Sequence, residues 1–217
     1  MFTGIIQNKG KVIDVKKHND DALRITFFCP TEWLSQAVMG DSIAVNGVCL
    51  TVAELTPNSF SADIAPSTMK KTALKNLELG CEVNLETAMK LQSFIGGHLV
   101  QGHVNDTGII TRIEKTQSCY ILTVQLPEEL LKYCILEGSI TIDGVSLTIS
   151  NIMHHNIQMN IIPHTWDKTI ISEYKLGQLV NVEVDIIAKY MEKWLSPWMK
   201  NLVGSVPQFI PTLDKHE

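Results

Sequence analysis

The chain repeats itself, and that repeat limits its folds more than any other feature. Shifted by 97 positions, residues 43–87 match residues 140–184 at 15 of 45 places, among them Gly47/Gly144, Leu50/Leu147, Thr51/Thr148, Lys71/Lys168, Gly80/Gly177 and Glu86/Glu183. With one gap the match reaches the N-terminus, where "TGIIQNKGKV" meets "QGHVNDTGII" through Gly4/Gly102 and Gly10/Gly108. Solenoid repeats run to roughly 20–50 residues, so a period this long predicts a whole small domain per copy. The boundary is expected at the flexible dipeptide Gly96-Gly97, giving domains over 1–97 and 98–187 and a tail over 188–217.

Within each copy, short alternating or β-branched runs such as "GKVIDVKK", "ALRITFF", "SIAVN", "VCLTVAE", "SFSADI" and "EVNLE" predict strands. Asn46-Gly47 and Asp143-Gly144 suit a type I′ turn, in which both central residues need positive φ. "TEWLSQA" and "PEELLKY" predict short helices. Such short strands in each copy fit a small closed barrel, which removes exposed sheet edges. The expected fold class is therefore all-β: two tandem six-stranded Greek-key barrels with short helices, followed by a C-terminal α-helix. In that tail, Tyr190, Trp194, Trp198 and Leu202 recur at helical spacing, with a break expected at Ser196-Pro197. Its large aromatics predict burial against another subunit, docking onto the chain's own barrel being the alternative.

A formal charge of −5 and the lack of a Lys/Arg block exclude a basic footprint for nucleic acid. No run of about 18 apolar residues predicts a membrane span. The N-terminal stretch lacks a basic n-region and a long apolar core, so cytoplasmic residence is expected. Five cysteines without C-x-x-C spacing predict reduced thiols, with neither a disulfide framework nor a zinc site. His98 and His103 stand five apart, on opposite faces of any strand, and no metal site is expected there. The glycines of "GGHLVQGH" lack the dinucleotide-binding order, and Ser146 lacks a nucleophile elbow.

The paired hairpins "NGVCLTV" and "DGVSLTI" carry more information. Alternation places Cys49 with Thr51 on one strand face and Ser146 with Thr148 on the matching face of the other copy. Downstream, "DIAPST" and "NIIPHT" are again matched and end in Pro-x-Thr. Matched polar positions in both copies predict two similar small-molecule pockets rather than a solvated barrel exterior.

Taken together, "MFTGII", "NGVCLTV", "GGHLVQGHV", "DGVSLTI" and "IIPHT" resemble the alpha-type riboflavin synthases, a lumazine-binding family, over roughly residues 1–190. The resemblance implies a cofactor-free dismutation of two 6,7-dimethyl-8-ribityllumazine molecules, in which a four-carbon unit moves to give riboflavin and 5-amino-6-(ribitylamino)uracil. It implies a homotrimer assembled by the tail helix, with active sites between the N-barrel of one subunit and the C-barrel of its neighbour. It also admits lumazine synthase, the enzyme that makes the substrate, as a partner. A non-catalytic lumazine or flavin carrier shares the design, but both "CLT" and "SLT" are intact here, which favours catalysis.

Carried onto this sequence, the resemblance groups Gly4, Ile5 and Ile6 with Cys49, Leu50, Thr51 and Asp63, Ile64, Ala65, Pro66, Ser67 and Thr68 as the N-barrel pocket. It groups Gly102, His103 and Val104 with Ser146, Leu147, Thr148 and Asn160, Ile161, Ile162, Pro163, His164 and Thr165 as the C-barrel pocket. His103 is expected to move protons, since histidine titrates near neutrality. Ser146, with Thr148 beside it, is expected to pass or accept a proton near the acidic C7 methyl. Cys49 is expected to add to or polarise the acceptor lumazine, water being the other candidate for the adding group. Glu137 stands where many family members carry a lysine, so a substrate contact there is reversed in charge or lost.

Overall fold

The computed structural model describes residues 1–17 and 22–203, with side chains as far as residue 195. Its first compact unit, Met1–Ile186, holds two closed six-stranded antiparallel barrels. The first is built from β1 (Asn8–Lys17), β2 (Leu23–Phe28), β3 (Ser42–Val45), β4 (Val48–Thr56), β5 (Ser59–Ile64) and β6 (Glu82–Thr87) in the order β1-β2-β5-β4-β3-β6. The second repeats this with β7 (Asp106–Lys115), β8 (Tyr120–Gln125), β9 (Ser139–Ile142), β10 (Val145–Met153), β11 (Asn156–Ile161) and β12 (Leu179–Val184). Every predicted strand run forms a strand. The predicted short helices are α1 (Thr31–Leu34) and α3 (Glu128–Leu131). Two further one-turn helices, α2 (Pro66–Lys71) and α4 (Pro163–Lys168), stand where the sequence suggested only a Pro-x-Thr turn. Proline at the first helical position starts them because its φ is preset and its missing N–H is not needed there.

Alternation sets the cores. Val48, Leu50 and Val52 point into the first barrel and Val145, Leu147 and Ile149 into the second, while Thr51 and Thr148 are exposed on the outer faces. Both hairpin turns have the expected positive φ, 46° at Asn46 and 75° at Gly47, 44° at Asp143 and 80° at Gly144.

The repeats are related by an approximate two-fold axis, because two residues touch their own counterparts. Phe2 and Val100 exchange two backbone hydrogen bonds, of 2.7 and 3.1 Å. Gly47 and Gly144 meet so closely that a Cβ on Gly47 would stand 2.6 Å from the Gly144 nitrogen. Around this contact Asn84 donates to the Asp143 carbonyl at 3.0 Å, and its counterpart Asn181 donates to the Asn46 carbonyl at 2.8 Å. These reciprocal bonds satisfy buried polar groups that a lone barrel would leave without partners.

At this contact the symmetry breaks where Asp143 of the second hairpin corresponds to Asn46 of the first, and Tyr174 to Leu77. Asp143 accepts from the Tyr174 hydroxyl and the Asn181 amide, both at 2.7 Å. Burial pushes its carboxyl up to about 7. Between about pH 4 and 7 the folded chain therefore keeps a proton that the unfolded chain releases, and stability falls as pH rises through that window. Asp143→Asn, which copies Asn46, should flatten this dependence and raise stability at pH 8 by at most ~4 kcal/mol. Urea midpoints at pH 5 and 8 measure it.

The second unit starts at Ile187 and contains all but the first residue of helix α5 (Ile186–Val203). It runs unbroken through Pro197, contrary to the expected interruption. Tyr190 and Trp194 pack ring to ring at 5.8 Å and are both exposed. The side chains of Trp198 and Leu202 lie outside the described residues. No helix among the described residues is long and apolar enough to cross a membrane.

Candidate functional site

Near each hairpin turn, the first half of the long strand runs past the end of its neighbour. β4 pairs with β5 only from Val52 onward and β10 with β11 only from Ile149 onward. The amides of Cys49 and Ser146 thus need acceptors from elsewhere. They receive them from the opposite repeat: Cys49 N donates to the Gly102 carbonyl at 2.9 Å, and Ser146 N to the Gly4 carbonyl at 2.8 Å.

This corrects the expected grouping. Gly4, Ile5 and Ile6 do not sit with Cys49, and Gly102, His103 and Val104 do not sit with Ser146; the two segments are exchanged between barrels. A sequence repeat could not reveal the exchange, because the pairing within a repeat and the pairing across the two-fold use the same matched residues.

The resulting N-barrel pocket has a volume of about 240 Å³ and is lined by Val48, Cys49, Ser67, Thr68, Lys71 and Thr72, with Gly102, His103 and Val104 as the wall from the second repeat. Cys49 is half-buried and His103 exposed. On the other side, a groove of about 530 Å³ is lined by Ile6, Gln7, Asn8 and Lys9 with His164, Asp167 and Lys168 of α4. Lys71 and Lys168, identical in the two repeats but not singled out from the sequence, thus offer a matched cation to each pocket. Another cavity of about 530 Å³, beside Trp33 and Thr87, contains none of the expected residues.

Not every expected residue presents its side chain to a pocket. Leu50, Ile64, Leu147 and Ile161 are buried in the barrel cores, so only their backbone can face a ligand. Asp63 lies on the exterior, held by both oxygens to Arg24 at 2.7 Å. Ala65, Ile162, Pro163 and Asn160 are exposed, while Pro66 and Thr165 are half-buried. Glu137 is exposed with a φ of 64°, at the position where the first repeat has Gly40.

One residue of the site went unrecognised. His98 is buried, and its Nδ1 lies 2.8 Å from Ser146 Oγ. Burial lowers its pKa, opposed by the charge of Asp185, so the ring is a neutral base at pH 7. The signal lay in Gly97, read from the sequence as a flexible linker. A Cβ there would stand 2.3 Å from the Thr3 carbonyl and 2.7 Å from Ser146 Oγ, so this glycine permits the close approach that delivers His98. The matched positions therefore differ chemically: Cys49 lines its pocket with the exposed His103 nearby, whereas Ser146 has a buried imidazole behind it and lies outside the lining of the groove beside α4. Among the described residues no cluster of His, Cys, Asp and Glu could hold a metal.

Comparison with known proteins agrees with this architecture. The lumazine binding domain matches twice, over residues 3–88 and 101–185. Riboflavin synthase of Bacillus subtilis is 45% identical over 195 residues, covering 90% of each chain. That of Mycobacterium tuberculosis is 40% identical over 197 residues, covering 89% of this chain and 97% of the other. Among solved structures, LumP complexed with riboflavin superimposes with a TM-score of 0.79 at 28% identity, covering 85% of this chain and 100% of that one. LumP complexed with 6,7-dimethyl-8-(1'-D-ribityl) lumazine gives 0.77 at 27%, with 85% and 99% covered. With both repeats matched and whole-length relatives well above a third identical, the chain belongs to the riboflavin synthase family of lumazine-binding proteins.

Proposed function

We propose that this chain is a riboflavin synthase: it binds two molecules of 6,7-dimethyl-8-ribityllumazine and transfers four carbons from one to the other. Riboflavin and 5-amino-6-(ribitylamino)uracil are the products, and the atoms balance with no external oxidant or cofactor. The observation that carries the reading is the unlike pair of reactive groups at matched places of the two repeats, Cys49 lining a pocket with His103 and Ser146 backed by the buried His98. Two copies of one substrate must be treated differently, one losing a proton from its C7 methyl and the other accepting a carbon nucleophile.

On the Ser146 side, His98 takes the methyl proton, directly or through the Ser146 hydroxyl, and the resulting anion delocalises into the lumazine ring. On the Cys49 side the acceptor ring is polarised or attacked by the thiol, or by water, and His103 serves as the nearby proton carrier. Thr51 and Thr148 on the outer strand faces, with the α2 and α4 segments, bind the rings and ribityl chains. Positioning supplies the larger share of the acceleration, since holding two reactants together can contribute ~7–11 kcal/mol.

Each pocket is an open surface groove, half of a face-to-face chamber. We assign the other half to a neighbouring subunit, in a homotrimer held by the exposed apolar stripe Ile187, Tyr190, Met191 and Trp194 of α5. A chain ending at Ile187 should then elute as a smaller species and lose most of its activity. Unchanged elution would remove the helix from the assembly.

The competing reading is a carrier that binds lumazine or flavin without turnover, as the LumP complexes exemplify. Supplying the lumazine alone separates the two. A synthase yields one riboflavin for every two lumazines consumed, whereas a carrier binds tightly and yields none.

A further inference from the structure

Two buried carboxylates, unused by the chemistry above, stand at matched places near the ends of the last strands. Glu86 on β6 is 2% exposed and Glu183 on β12 is 4% exposed. Burying a carboxylate is costly unless donors surround it. Glu86 accepts from Thr3 N at 2.6 Å, Thr3 Oγ1 at 2.7 Å and Gly4 N at 3.1 Å. Glu183 accepts from Gln101 N at 2.7 Å through one oxygen, its other buried oxygen having no hydrogen-bond partner, and burial raises its pKa against the favourable amides of Gln101, His103 and Gly102.

The path onward is short. Gly4 turns its amide to Glu86 and its carbonyl to Ser146 in the other barrel. Next to Glu183, Gly102 turns its carbonyl to Cys49, again in the other barrel. One residue therefore separates each glutamate from the reactive position of the opposite barrel.

We propose that Glu86 and Glu183 are positioning residues acting across the barrel interface, Glu86 fixing the Gly4 segment against Ser146 and Glu183 fixing the wall of the Cys49 pocket. The proposal deepens the functional reading, on which it rests for the identity of the ligand but not for the geometry. Glutamine is a poor substitute at either place. At Glu86 its one acceptor oxygen cannot serve Thr3 and Gly4 together, and at Glu183 it turns the charge-assisted bond from Gln101 N into a neutral one.

The test reads the pockets without turnover, so it can fail or succeed whether or not riboflavin is made. Iodoacetamide alkylation of Cys49, followed by peptide mass spectrometry, reports one wall. The pH titration of the His98 imidazole by NMR reports the other. Glu183→Gln should speed Cys49 alkylation ~10-fold, the scale of a lost charge-assisted hydrogen bond, and leave the His98 titration in place. Glu86→Gln should move the His98 titration up toward the ordinary histidine value and leave Cys49 alkylation unchanged. Thr3→Val, which keeps the carboxylate but removes a donor, and Glu183→Asp should give the same crossed pattern more weakly, and carry the test if a glutamine variant does not fold. Perturbation of the pocket in the glutamate's own barrel, equal perturbation of both, or of neither, would overturn the proposal.

Discussion

Changing His98 to glutamine should lower kcat by about 10²-fold or more while leaving KM within a few-fold, the range expected when a general base is removed. Glutamine can keep a hydrogen bond to Ser146 but cannot take a proton. Because His98 is buried behind Ser146, it contributes little to substrate binding. In the unmodified enzyme, burial lowers the His98 pKa, so activity should persist as pH falls below the ordinary histidine range. It should be lost only when the ring finally takes a proton in the free state. His103→Gln should cost less, since that ring is exposed on the Cys49 side. Steady-state kinetics of both variants between pH 5 and 8 decides the order. A larger loss at His103 would return the proton-moving role to it.

The second large effect concerns the fold. Gly47→Val should destabilise the chain by roughly 4 kcal/mol or prevent its folding, a loss of the size that marks a buried steric conflict. Two causes add: the left-handed backbone, unfavourable for a β-branched residue by ~1–2 kcal/mol, and a Cβ 2.6 Å from the Gly144 nitrogen. Gly40→Ala supplies the control. Its φ is 91°, yet nothing lies within 4 Å of the added Cβ. It should therefore show only the backbone cost. Urea unfolding of both variants measures the difference, and equal losses would mean that the hairpin turns do not meet.

These effects show where the sequence was informative. Strands, hairpins and duplication were legible because each rests on local chemistry: alternation, a two-residue turn, and matching residues. The helices α2 and α4 were missed because one turn started by proline leaves no periodic pattern. The exchange of the segments around Gly4 and Gly102 was not legible at all. It depends on an unpaired amide at the end of a strand, and strand overhang is a property of the closed barrel rather than of any stretch of residues. His98 was visible as a histidine, but its burial against Ser146 follows from that exchange. Glu86 and Glu183 stood in the alignment as identities without a role, since only the folded chain brings Thr3, Gly4 and Gln101 to them.

The duplication serves to hold two copies of one substrate in unlike surroundings. The most direct measurement is the binding stoichiometry of the His98→Gln variant, stalled in turnover, titrated with 6,7-dimethyl-8-ribityllumazine and followed by lumazine fluorescence. Two lumazines per chain, bound with unequal affinity, is the predicted result; one lumazine per chain at saturation would contradict it.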